Sequence, residues 1–218
     1  MYALQQIVNI LQLGSIYGLI ALGYSMVYGV LAMINFAHGD LFMAGAFFCL
    51  IGSVWLKLPF GATLVFSMCA VAVLGVVIER LAYKPLRKAP RVSAIITALG
   101  VGVFLESLTL ALCPYPQTIP ELIPDRAFFL PGGVSVTLLQ FIIISVSLAL
   151  MAGLDFLVRK TKAGMAMRAI SWNAGIVPLL GIPSELVISL TFALGAGLGG
   201  AAGMMYALAY PVIDPYIG

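Results

Sequence analysis

The sequence predicts an all-α, polytopic bundle of membrane-spanning helices. Three observations carry that expectation. Its composition is 62% hydrophobic and only 9% charged over 218 residues, against about a quarter charged in a soluble domain, and mean hydropathy is +1.13. The apolar stretches are long and mostly unalternating, which favours helices over the alternating strands of a membrane barrel. The 23 glycines suit helices that approach closely in lipid.

Six apolar segments follow one another in a single domain, at roughly 7–34, 41–56, 62–78, 94–112, 134–154 and 186–209. A spanning helix takes about 20 residues. The second segment is short by that measure and is expected to be broken, tilted or re-entrant. The start of the chain, Met1 to Gln6, has no basic group, and the first apolar run is too long for a cleavable signal.

Charge sets the orientation. Loop 79–93 holds Arg80, Lys84, Arg87, Lys88 and Arg91, and loop 155–185 holds Arg159, Lys160, Lys162 and Arg168. Both are expected on the cytoplasmic side. Loop 113–133 carries Glu121, Asp125, Arg126 and five prolines, and reads as an extended external loop. If segments one and two both cross, the N-terminus is external as well; if one only re-enters, it is internal. Within loop 155–185, residues 162–170 combine good helix formers with Met and Ile at helical spacing, and Pro178, Gly181 and Pro183 break the chain afterwards. A short cytoplasmic helix and a turn are expected there, the alternative being a basic interfacial helix lying on anionic lipid.

Some functions are disfavoured by what the chain lacks. It carries no phosphate-binding glycine loop, nucleophile elbow or zinc helix motif. Cys49, Cys69 and Cys113 have neither metal-ligand spacing nor the look of a disulfide framework. The cytoplasmic loops are too short for a catalytic domain. A transport or channel role is favoured over an enzyme, with no metal, no nucleic-acid partner and membrane lipid as the surroundings.

Three features stand out from the apolar background. Asn35-Phe36-Ala37-His38-Gly39-Asp40 contains the single histidine and interrupts a stretch otherwise free of acids and bases up to Lys57. Nothing in hydrocarbon solvates such groups. Lining a path, relaying protons and hinging a discontinuous helix are all open to it; so is an ordinary short loop. Glu106 lies about two-thirds along the fourth segment, either lining a path or hydrogen-bonded as a buried structural acid. Gly195, Gly199 and Gly203 recur every fourth residue in the sixth segment, as Gly14 and Gly18 do in the first. That spacing suits close helix packing, chiefly within the chain.

The run from Gly18 to Asp40, with Tyr24, Ser25, Tyr28, Gly29 and the polar break, followed by Met43, Gly45 and Ala46, resembles the branched-chain amino acid ABC permease family, LivH type. Two further blocks agree: Thr161, Gly164, Arg168 and Ala169 with Gly181, Ile182 and Pro183, and then Tyr210-Pro211 through Asp214-Pro215 to Gly218. The resemblance implies a multi-pass subunit of a bacterial inner-membrane importer. Its partners would be a second permease subunit, two ATPase subunits carrying ATP and Mg, and an external solute-binding protein; the chain itself would hold no cofactor. It implies that 159–183 is the element coupling to the ATPase, through Gly164, Arg168, Ala169, Gly181 and Ile182. It places Tyr24, Ser25, Asn35, His38, Gly39, Asp40 and Glu106 as candidates for the translocation path or its hinge, used in alternating access. Asn35 and His38 are then expected where segments one and two change direction, near protein rather than lipid.

This chain departs from the family pattern in two places. Ser171 to Pro178 is unusually apolar where many members are charged, and members continue beyond Gly218, which implies a C-terminally shortened chain. Similar motifs also occur in permeases for urea or short amides. Outside the family, a stand-alone channel or secondary transporter would use His38, Asp40 and Glu106 to move protons.

Overall fold

The computed structural model describes residues 2–31, 33–87, 89–124, 126–130 and 134–218. Lys88, Asp125 and Pro131, counted in the loops above, lie outside the described residues. The chain folds into helices α1 (Tyr2–Leu31), α2 (His38–Leu50), α3 (Phe60–Ile78), α4 (Arg91–Leu112), α5 (Leu138–Lys160), α6 (Lys162–Asn173) and α7 (Ser184–Ala209). All but α6 are long and apolar enough to cross a bilayer. The chain is an all-α multi-pass membrane bundle.

The second segment reaches spanning length in a way its apolar stretch conceals. Helix α2 starts inside the polar break, at His38, and a π-helical turn at Ile51–Trp55 extends it to an 18-residue span. The break in helical backbone therefore falls before this helix, at 33–37, rather than within it.

Two boundaries differ from expectation. Loop 79–93 begins as helix, because no glycine or proline interrupts the chain before Pro85. Helix α3 runs on through a π-helical turn, Glu79–Tyr83, and a 3-10 turn, Lys84–Leu86. The fifth apolar segment begins as a strand. The β-branched alternation Val134-Ser135-Val136-Thr137 forms β3 (Val134–Thr137), antiparallel to β2 (Ala127–Leu130). Thr137 then caps α5: its hydroxyl accepts from Gln140 N at 3.2 Å, and the Gln140 side chain accepts from Thr137 N at 3.1 Å. A second short pair, β1 (Gln117–Thr118) with β4 (Val212–Ile213), ties the segment after α7 to the Pro-rich loop.

Polar side chains at the start of α1 fix its sidedness relative to the loops. Gln5 exchanges hydrogen bonds with the Ser135 backbone at 3.0 Å, and Asn9 accepts from Gln140 at 3.1 Å. The start of α1 therefore lies beside β3 and the start of α5, at the end of α5 opposite its basic residues Arg159 and Lys160.

Helix α7 is the axis of the fold. It packs on α1, α2 and α3, and 72% of its spanning window is buried, against 11% for α5. Small residues allow this. A Cβ on Gly195 would stand 2.8 Å from the Gly23 carbonyl, one on Gly45 would stand 2.5 Å from the Gly200 carbonyl, and one on Gly203 would run into the Phe42 carbonyl. Dispersion contacts between backbones close the bundle here, since apolar burial alone drives no helix association in lipid.

Candidate functional site

The polar break sits where α1, α2 and α7 converge. The chain leaves α1 at Leu31 and enters α2 at His38. Asn35 and His38, each 3% exposed, lie inside the protein at this change of direction. Asn35 Oδ1 accepts a hydrogen bond from the Tyr83 hydroxyl at 2.7 Å, and the Tyr83 ring rests against Phe192 of α7 at 5.4 Å between centroids. His38 is held differently. Its ring lies between Gly23 of α1 and Gly199 of α7, where added Cβ atoms would stand 3.2 Å and 3.7 Å away. Tyr24 meets it edge-on at 5.9 Å. No well-aligned hydrogen bond reaches either His38 ring nitrogen among the described residues, and the Ile20 backbone of α1 is the polar group beside the ring.

The remaining candidates divide between this cluster and other places. Gly39 packs against the Gly218 backbone, where a Cβ would meet it at 2.7 Å. Asp40 faces α4: a Cβ on Gly102 would lie 2.5 Å from Asp40 Oδ2. Glu106 lies one turn beyond Gly102 on α4 and is half-buried. Thr109 does not partner it, because the Thr109 hydroxyl bonds the Leu105 carbonyl at 2.8 Å. Ser25 is apart from all of these. It is exposed, bonded to the Leu22 carbonyl, and lines a cleft of about 200 Å³ with Met26, Met167, Arg168 and Ser171. Of the packing glycines, Gly18 faces Met151 of α5, whereas Gly14 has nothing within 4 Å.

The short helix α6 stands on the basic face. Thr161 caps it, accepting from Gly164 N at 3.2 Å. Gly164 is pressed against the carbonyls of Leu157 and Val158, with no room for a side chain, and Arg168 donates to the Val158 carbonyl. Met167 and Ile170 are buried beneath it, and Ala169 and Ile182 are half-buried. A 3-10 turn, Val177–Leu180, follows and ends on Gly181 at φ 75°, a left-handed conformation that glycine adopts freely. Trp172 and Leu179 project outward, 91% and 84% exposed.

Sequence reasoning missed Glu79. It is fully buried and accepts from both Arg87 and the Ser189 hydroxyl, the latter at 2.7 Å. Arg87 also donates to Glu185 at 2.6 Å, and Lys84 lies 3.0 Å from the same carboxylate. The available signal was an acid at the end of an apolar run just ahead of Lys84 and Arg87. Among the described residues no cluster of metal-ligating side chains occurs.

The family model described as branched-chain amino acid transport system / permease component matches residues 6–218. The high-affinity branched-chain amino acid transport system permease protein BraD of Pseudomonas aeruginosa is 37% identical over 227 residues, covering 99% of this chain and 74% of that protein. The corresponding permease protein LivH of Escherichia coli K12 is 36% identical over 234 residues, covering 100% and 75%. The probable branched-chain amino acid transport permease protein LivH of Methanocaldococcus jannaschii is 26% identical over 193 residues, covering 85% and 60%. No solved structure matches.

Proposed function

We propose, because the chain belongs to the permease component family of branched-chain amino acid transport systems, that it is the membrane subunit of an ATP-driven importer of those amino acids. It works in the inner membrane beside a second permease subunit. Two ATPase subunits, carrying ATP and Mg, dock on its basic face, and a solute-binding protein delivers substrate from the other side. One observation carries the coupling part of this reading. Helix α6 alone among the described helices does not span, and it is fastened to the end of α5 by its Thr161 cap and by Arg168 while leaving Trp172 and Leu179 bare. Exposed aromatic and aliphatic groups beside basic ones suit a protein partner.

Alternating access follows from the same arrangement. A push on α6 reaches the axial helix α7 through the Gly181-Ile182-Pro183 turn. At mid-bundle α7 touches the polar break, where Asn35, His38 and Tyr24 offer mildly polar, uncharged contacts to a zwitterion with an aliphatic side chain.

The test is reconstitution of the chain with its ATPase and binding-protein partners in vesicles. ATP-dependent uptake of leucine, isoleucine or valine is expected, with Arg168→Glu reducing recovery of the ATPase. Uptake without ATP would overturn the reading, as would uptake of urea in place of leucine.

A further inference from the structure

Glu79 ends its helix in a dry place. Its side chain is 1% exposed, and its partners are Arg87 and Ser189. Arg87 reaches in two directions, one nitrogen to Glu79 and the other to Glu185. Glu185 and Ser189 stand one turn apart at the start of α7, so one guanidinium and one carboxylate hold that start against the end of α3. The Glu185 contact is half open to solvent and would be weak alone. The Glu79 contact is not. If Arg87 left it, a buried charge would lose its partner with no water to replace it. The end of α3 is therefore obliged to follow the start of α7.

The position of this clamp gives it a use. Glu185 comes four residues after Gly181, the left-handed hinge that closes the turn beyond α6. We infer that Arg87 is a positioning residue that makes the start of α7, to which the turn beyond α6 leads, and the end of α3 move as one body during transport. This rests on the reading of α6 as the coupling element. Lysine cannot replace the arginine: a point charge on a flexible stem lacks the planar fork that engages two carboxylates at once.

The readout is leucine taken up per ATP hydrolysed, measured on the complete reconstituted transporter. Arg87→Lys keeps a cation beside Glu79, so it is expected to assemble and hydrolyse ATP, while the ratio falls by about fivefold or more, the low end of typical coupling between sites. A second variant avoids dependence on the buried charge. Glu79→Gln combined with Arg87→Cys and Glu185→Cys, with the native cysteines changed to alanine, is expected to hydrolyse ATP with little uptake. A short thiol-to-thiol cross-linker then restores uptake by replacing the clamp covalently. A wild-type ratio in Arg87→Lys would overturn the inference, and so would a cross-link that leaves uptake low, because a clamp is then not what the cycle needs. Failure of the unaltered transporter to need ATP sinks the coupling reading itself, before any variant is compared.

Discussion

Glu79 and His38 are both buried in this bundle, both near the ends of helices that pack on α7, and their surroundings are opposite. Glu79 has an arginine and a serine on its two oxygens, and that arginine is held in turn by a second carboxylate. His38 has two ring nitrogens, no charged partner, and at most the Ile20 backbone beside its ring. A buried polar group left unpaired costs stability, and a saturated one costs little. The first environment therefore fixes structure. The second is closed around its imidazole by the Gly23 and Gly199 backbones and the edge of Tyr24 rather than by charge.

Breaking the saturated side should have the largest effect. Arg87→Ala strands the Glu79 charge and is expected to destabilise the protein by about 3 kcal/mol or more, read as a lower unfolding midpoint in detergent. The double change Glu79→Leu with Arg87→Met should recover most of that loss. Wild-type stability in the single variant would erase the contrast. The framework enclosing both groups comes next. Gly203→Ala drives a methyl group into the Phe42 carbonyl and should cost about 2 kcal/mol. Gly14→Ala, with nothing within 4 Å, should gain about 0.5 kcal/mol from helix propensity.

Asn35→Ala probes a middle case, one hydrogen bond to a buried phenol, with an expected loss of about 1–2 kcal/mol. His38→Phe sharpens the comparison most, because no charge pair is removed. Fitting the larger ring against Gly23 and Gly199 should cost about 1–2 kcal/mol, while substrate uptake falls steeply. A drop in stability as large as that of Arg87→Ala would mean that the imidazole is structurally bonded after all.

The spans were legible because hydrocarbon demands long apolar runs, and their number and approximate ends follow from that demand alone. The glycine ladder of α7 was legible from its spacing. Its counterparts Gly23, Gly45 and Gly75 were not, since none has another glycine four residues away and only the crossing of two helices pairs it with a partner. The polar break was legible as an anomaly, but not the separation of Ser25 from it, because adjacent helical residues point to different faces: Tyr24 meets His38 while Ser25 faces the α6 cleft. Glu79 was missed because position 79 falls at the start of the segment read as a loop. Helix α3 runs on to Leu86 and carries that carboxylate inward. The strands before α5 were hidden because Val134 to Thr137 reads equally well as the start of an apolar span.

The axial position of α7 has a consequence for how the protein is made. The ribosome delivers this helix after every other described span, yet α1, α2 and α3 have their closest neighbour in it. Until Ser184 to Ala209 emerges, the glycine faces of three earlier helices are in the membrane without the surface that fits them, and α5 must leave a way in. Insertion and assembly are thus separate events for this chain. Chains ending before Ser184 should insert but remain open to protease and to labelling of the native Cys49 of α2, which is buried once Ser184 to Ala209 is in place.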